Sequence, residues 1–296
     1  MSTQSIRSSD VELSVRVSGN DAGPVVVLVH GFPDTQHVWD SVVPLLEADH
    51  RVVTYDVRGA GGSTAPEGRS GYRMGKLVGD LAAVIDHVLP DGGAVHLVGH
   101  DWGSVQSWGA VMREASDARI TGRIASYTSI SGPGLDLFGH FFRSGVQHRR
   151  VGSVVRQALH SWYVVAFQAP VVPELVARRF TGRLRGALAR GLGDGDGHWG
   201  ETFEDDFVNG INLYRANGLS FRRGTTSVPV QLVVPTKDAF ISPAVFADIA
   251  EFAPDVRRVD VVAGHWVVQS QPQLVADTVA GFIAEIEARS SVRREA

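Results

Sequence analysis

The sequence predicts an α/β fold, a mostly parallel sheet covered by helices on both faces and interrupted by a block of inserted helices. Three observations carry that expectation. Short apolar β-branched runs recur along the chain, stretches of helical period separate them, and the alternation stops between Gly134 and about Arg223, where arginine-rich amphipathic segments take over.

In chain order, residues 11–17 alternate apolar with polar side chains, as an antiparallel edge strand does. Apolar β-branched runs recur at residues 24–30, 51–56, 94–99, 124–131, 229–235 and 259–263, the pattern of strands in a parallel sheet covered on both faces. Helices are expected over 35–46, 74–89, 102–113, 243–252 and 272–288, with a frayed polar tail from 290 to 296. The core then comprises residues 1–133 and 224–296, and the insertion, read as a helical lid, residues 134–223. Gly193-Asp194-Gly195-Asp196-Gly197 within it superficially resembles a calcium loop but lacks the later acidic ligands, so a solvent-exposed turn is expected.

Composition narrows the function. With 296 residues, 44% of them hydrophobic, and a net charge of -4, the chain fits a soluble globular protein and offers no basic surface for nucleic acid. Cysteine is absent, which removes disulfides, thiolate nucleophiles and cysteine metal sites together and suits a cytoplasmic protein. The start shows no apolar signal core, and no apolar run approaches bilayer length, so no membrane insertion is expected. Lys76 and Lys237 are the only lysines, a bias toward arginine that carries no functional weight.

The chemistry is concentrated after the run at 94–99. Gly99-His100-Asp101-Trp102-Gly103 is a G-x-nucleophile-x-G turn from strand to helix, with aspartate in the place that serine takes in esterases. Such a turn is too sharp for β-carbons at its ends, and it lifts one side chain above the sheet edge, at the positive end of a helix. Aspartate is also a favoured helix cap, which is the plainer role for Asp101. Upstream, His30-Gly31-Phe32-Pro33 follows a strand where a second oxyanion donor is needed, so the backbone amides of Phe32 and Trp102 are the expected donors, worth ~3 kcal/mol each. His30 itself reads as structural. Asp56-Val57-Arg58-Gly59-Ala60-Gly61-Gly62-Ser63 lacks the spacing and lysine of a phosphate loop and reads as a structural turn.

An ester on Asp101 needs water activated by a base. Of eleven histidines, His265 follows the last strand-like run, late in the chain where the order nucleophile, acid, histidine requires it. Asp238, just beyond the penultimate strand, is the expected orienting acid; Asp136, after the run at 124–131, is its rival. No metal or organic cofactor is called for, and no metal-ligand cluster is evident in the sequence.

On these residues, H-G-F-P at 30–33, D-x-R-G-x-G-x-S at 56–63, G-H-D-W-G at 99–103, Asp238 and His265, the chain resembles an epoxide hydrolase of the α/β-hydrolase superfamily over nearly its whole length. It is also similar to the hydrolase half of actinobacterial proteins that carry a second, reductase-like domain, which lies outside this sequence. The resemblance implies a small-molecule epoxide as substrate and two lid tyrosines that hydrogen-bond and protonate the ring oxygen, matched by Tyr163 and Tyr214. It further implies a pocket lined by Trp162, Phe167 and Trp266, and leaves a homodimer open. The arginine-rich middle of the lid has no clear counterpart. Haloalkane dehalogenases share the fold and the aspartate. They usually hold the departing halide with a tryptophan at position 102 and either a second tryptophan, here Trp162 or Trp199, or an asparagine where this chain has Phe32. Fluoroacetate dehalogenases carry arginine where Trp102 stands, and an esterase needs serine in place of Asp101. A hydrolase fold that binds a small molecule without turnover is the alternative from another class.

Overall fold

The computed structural model describes residues 2–189, 198–219 and 224–295. Eight strands form one sheet in the order β1-β2-β4-β3-β5-β6-β7-β8. They are β1 (Ser2–Ser8), β2 (Val11–Gly19), β3 (Val25–Val29), β4 (Arg51–Tyr55), β5 (Val95–His100), β6 (Ile124–Ile130), β7 (Val230–Pro235) and β8 (Val256–Val261). β2 runs antiparallel to β1 and β4, and the other neighbours are parallel.

The continuous apolar strands are explained by the layers around them. Val25, Val27 and Val29 of β3 enter one buried apolar cluster and Val26 and Leu28 the other, because successive side chains leave opposite faces of the sheet. The first cluster is completed by Leu77, Leu81 and Trp108 of α2 (Met74–Val88) and α3 (Trp102–Val111). The second is completed by Leu46 of α1 (Val43–Leu46) and by Val275 and Val279 of α10 (Pro272–Glu295). Between β6 and β7 come α4 (Leu135–Gln147), α5 (Val151–His160), α6 (Trp162–Ala166), α7 (Val172–Ala189) and α8 (Phe203–Ala216), with no strand among the described residues. After β8 a short α9 (Val267–Ser270) leads into α10. No helix among the described residues is long and apolar enough to cross a membrane.

Several expectations are corrected. β1 is absent from the sequence reading because its residues are polar; it pairs with β2 through backbone, and Ile6 is its one buried apolar side chain among the described residues. Residues 35–46 are a 3-10 turn at Gln36–Trp39 followed by α1, since Thr35 caps the turn and Asp40 is drawn to Arg16 and His37. Residues 243–252 are likewise two 3-10 segments, Pro243–Phe246 and Ile249–Glu251. Buried Phe246, Ile249 and Phe252 recur there every third residue, the 3-10 period. The last strand begins at Val256 and not at 259, and the tail expected to fray belongs to α10 as far as Glu295. Residues 193–197, the calcium-loop look-alike, lie outside the described residues.

The turn after β4 is held by charge. The Arg58 side chain, fully buried, donates through Nε and Nη2 to both Asp80 oxygens at 2.6 Å, and Ser8 donates to the same carboxylate at 2.6 Å. Removing one partner of a buried pair strands the other charge. Asp80→Asn is therefore expected to lower unfolding free energy by about 3–5 kcal/mol, read from urea titration, without displacing the residues around Asp101.

Candidate active site

The glycines around Asp101 are required by contact. A β-carbon on Gly103 would lie 2.0 Å from the Val29 carbonyl oxygen, and one on Gly99 would lie 2.6 Å from that of Gly103. This close approach of β5, α3 and β3 bends the chain so sharply that Asp101 takes φ +52°, a left-handed value costly for a residue with a side chain. Asp101 occupies the cap position of α3 but makes no capping bond with its side chain, which sets aside the plainer role. Its Oδ1 instead accepts the Phe32 amide at 2.7 Å. The Trp102 amide, first in α3, belongs to the N–H groups that lack an intrahelical acceptor. Gly31 is also dictated by Asp101, since a β-carbon there would meet Oδ1 at 2.4 Å.

Across from Asp101 stands His265, buried after β8. Its Nε2 is 3.4 Å from Asp101 Oδ2, and its Nδ1 is 2.9 Å from Asp238 Oδ2. Asp238 Oδ1 accepts the amides of Phe240 at 2.7 Å and Ile241 at 3.0 Å. Burial works against the Asp238 charge, but His265 and these amides outweigh it and hold the pKa below the usual carboxylate value. Burial likewise opposes an imidazolium at His265, yet the Asp238 charge and the hydrogen bonds and charge of Asp101 prevail, and the pKa is pushed up to about 10. The rival acid Asp136 is elsewhere: it lines a separate cavity of about 530 Å³ with Met74, Trp108 and Phe252, and His265 is not among that cavity's residues.

Tyr163 and Tyr214 converge over Asp101 from α6 and α8, with ring centroids 5.9 Å apart. Burial raises the pKa of both, reinforced at Tyr163 by the Asp101 charge and at Tyr214 by Tyr163 and Asp101, so both hydroxyls keep their protons at neutral pH. The Trp102 ring packs edge-on against Tyr214, with centroids 4.9 Å apart. A cavity of about 600 Å³ reaches Asp101 and His265 and is walled by Trp162, Phe167, Trp266 and other apolar side chains. A second cavity of about 250 Å³ meets Asp101, Tyr163 and Tyr214 from the other side.

His30 faces away from this chemistry: buried, it accepts the Val57 amide on Nε2 at 2.8 Å, and its Nδ1 lies 2.9 Å from the Gly31 carbonyl. The sequence reading missed Asp34, next after H-G-F-P. Fully buried, it accepts from His198 at 2.6 Å, from the Trp199 indole at 2.9 Å and from the Trp266 indole at 3.2 Å. Burial disfavours its charge, but His198 and His100 more than compensate and hold its pKa well below the carboxylate range. His100, 3.7 Å from Asp34, lies 2.9 Å through Nε2 from the His265 carbonyl, so one carboxylate ties the insertion to the loop that presents His265. Its signal in the sequence was an acid beside the oxyanion loop that no surface role explained.

The arrangement can form and hydrolyse an ester: a carboxylate held by an amide, a histidine with its acid, and an apolar chamber with two phenols. Comparison with known proteins agrees with the fold. The chain matches the alpha/beta hydrolase fold family over residues 24–270. It is 37% identical to the probable oxidoreductase EphD of Mycobacterium tuberculosis, over 92% of this chain and 48% of that protein. It thus spans about half the length of these relatives. It is 27% identical to epoxide hydrolase A of the same organism, over 96% of this chain and 98% of the relative. An epoxide hydrolase structure from Bacillus megaterium superposes with a TM-score of 0.78 at 22% identity, covering 95% of this chain and all of that one, a likeness of fold. With this match over most of its length and the nucleophile turn in place, the chain belongs to the α/β-hydrolase fold family.

Proposed function

We propose that the chain is an epoxide hydrolase in which Asp101 is the nucleophile, His265 the base and Asp238 its orienting acid. The observation that carries this reading is the pair of protonated phenols, Tyr163 and Tyr214, facing a carboxylate already backed by the Phe32 amide. The similarity to epoxide hydrolase A of Mycobacterium tuberculosis over nearly the whole of both chains supports the same substrate class.

The helices α4 to α8 act as a lid over the chamber. Asp101 Oδ2 attacks one ring carbon from behind, the carbon–oxygen bond breaks, and the departing oxygen takes a proton from Tyr163 or Tyr214. Esterification removes the Asp101 charge and hydrogen bond that raise the His265 pKa, so the imidazolium releases its proton and the phenolate regains one. Neutral His265 then takes a proton from water, and hydroxide adds to the ester carbonyl carbon. The resulting charge on Oδ1 is met by the amides of Phe32 and Trp102. Collapse frees the diol and restores the carboxylate and imidazolium, so the cycle consumes one water and no cofactor.

A dehalogenase has less support. The Trp199 indole is committed to Asp34, which removes one of the candidate halide donors, and Phe32 stands where an asparagine would donate. The deciding experiment pairs styrene-type and aliphatic epoxides with matched haloalkanes and scores diol and halide separately. Diol without halide is expected; halide without diol reverses the assignment. Single replacements Tyr163→Phe and Tyr214→Phe each leave one donor and should slow alkylation in single-turnover assays by roughly 10²-fold, and the double replacement by roughly 10⁴-fold.

A further inference from the structure

The outer face of the insertion is built the wrong way round for a helix in water. On α5, Val151, Val155 and Leu159 fall on one stripe at spacings of four and are all exposed, while the one residue α5 buries is Gln157, which bonds the backbone of Phe240 and Ser242. On α6, Tyr163 turns toward Asp101 while Trp162 and Val165 are 67% and 75% exposed. On α7, Val172, Leu175 and Val176 are exposed as well. These stripes adjoin, because Leu159, Trp162, Val172 and Val176 together line the 600 Å³ chamber that leads to Asp101. The chamber therefore opens through an apolar surface, of a kind that soluble monomers seldom leave uncovered.

Charge identifies what covers it. Residues 135–189 carry eight arginines against two carboxylates, Asp136 and Glu174, a surplus of six in a chain whose net charge is -4. Arg149, Arg156 and Arg185 make no ion pair with any described carboxylate, and Arg179 and Arg183 lie over the Phe180 ring 5.5 Å from its centroid. An exposed apolar stripe edged by arginine, with a tryptophan at the boundary, is the composition of an element that lies in a lipid headgroup layer. A second copy of the chain would set this positive surplus against itself.

We infer that the outer face of the insertion, α5 to α7, docks on an anionic lipid surface and draws apolar substrate from it directly into the chamber. The contact is peripheral, made by side chains at the headgroup level, and requires no spanning helix.

The test is co-sedimentation of the full chain with vesicles of phosphatidylcholine alone or mixed equally with phosphatidylglycerol, a readout independent of turnover. Binding to the mixed vesicles should be at least ~10-fold tighter and weaken with salt. Val151→Glu with Val155→Glu, both at exposed positions outside the chamber wall, should cut it ~10-fold or more, and Arg149→Gln with Arg156→Gln should weaken it on mixed vesicles only. Hydrolysis of a water-soluble epoxide should be unchanged in both pairs. Trp162 is the one tryptophan of six that is exposed, so brominated lipid should quench its fluorescence and spare the others. Equal sedimentation with neutral and anionic vesicles, or binding indifferent to the glutamates, overturns the inference. So does a dimer in sedimentation velocity that Val155→Glu dissociates, which would assign the face to a second copy.

Discussion

Asp101→Ala is expected to abolish diol formation, with kcat lower by roughly 10⁶-fold, the scale seen when one member of a cooperating catalytic set is removed. Among the described residues that line the chamber, no second carboxylate stands ready to replace it. His265 points its Nε2 at the space Asp101 vacates, but without a carboxylate there is no covalent step for it to complete. The fold should survive, because the Asp101 side chain contributes a functional hydrogen bond to Phe32 and no capping bond to α3. Circular dichroism and the melting temperature should therefore match the parent while product release, followed chromatographically, falls to background.

His265→Gln should separate the two halves of the reaction. Alkylation of Asp101 needs the carboxylate and the phenols, so one equivalent of epoxide is still consumed rapidly, but hydrolysis lacks its base and steady-state turnover drops by roughly 10⁴-fold or more. The same histidine sets a pH dependence of stability. A pKa raised from 6.5 unfolded to about 10 folded means that the folded state holds a proton more tightly. Its stabilising contribution is complete below pH 6.5 and is lost as the pH rises through about 10. Stability measured in urea should decline across that window in the parent, and the decline should be shallower in His265→Gln.

Much of this site could be read from the chain because the fold arranges its chemistry by position. A nucleophile must follow β5, a histidine must follow the last strand, and the glycines flanking Asp101 are forced by the backbone contacts of Gly99 and Gly103. The acid was legible only up to a choice between two strand ends, since sequence carries no distance. The 2.9 Å contact of His265 with Asp238 and the placement of Asp136 in another cavity are what support Asp238 as the proposed acid. Asp34 escaped because its partners His198, Trp199 and Trp266 lie far along the chain and meet only in the folded molecule. β1 escaped for a related reason: a strand made of backbone ladder and one buried isoleucine leaves almost no apolar period. The segment at 243–252 shows the converse case, where apolar spacing of three, expected to be α-helix, belongs to 3-10 turns, and at 35–46 only the second half, Val43–Leu46, is α-helix.

The covalent ester on Asp101 is tested most directly by mass spectrometry of His265→Gln mixed briefly with a reactive epoxide and quenched in acid. The expected result is an increase equal to one substrate molecule, confined to the peptide that contains Asp101 and absent when Asp101→Ala is added to the variant. Epoxide consumed with the protein mass unchanged, or an adduct on any other residue, would contradict attack by this carboxylate.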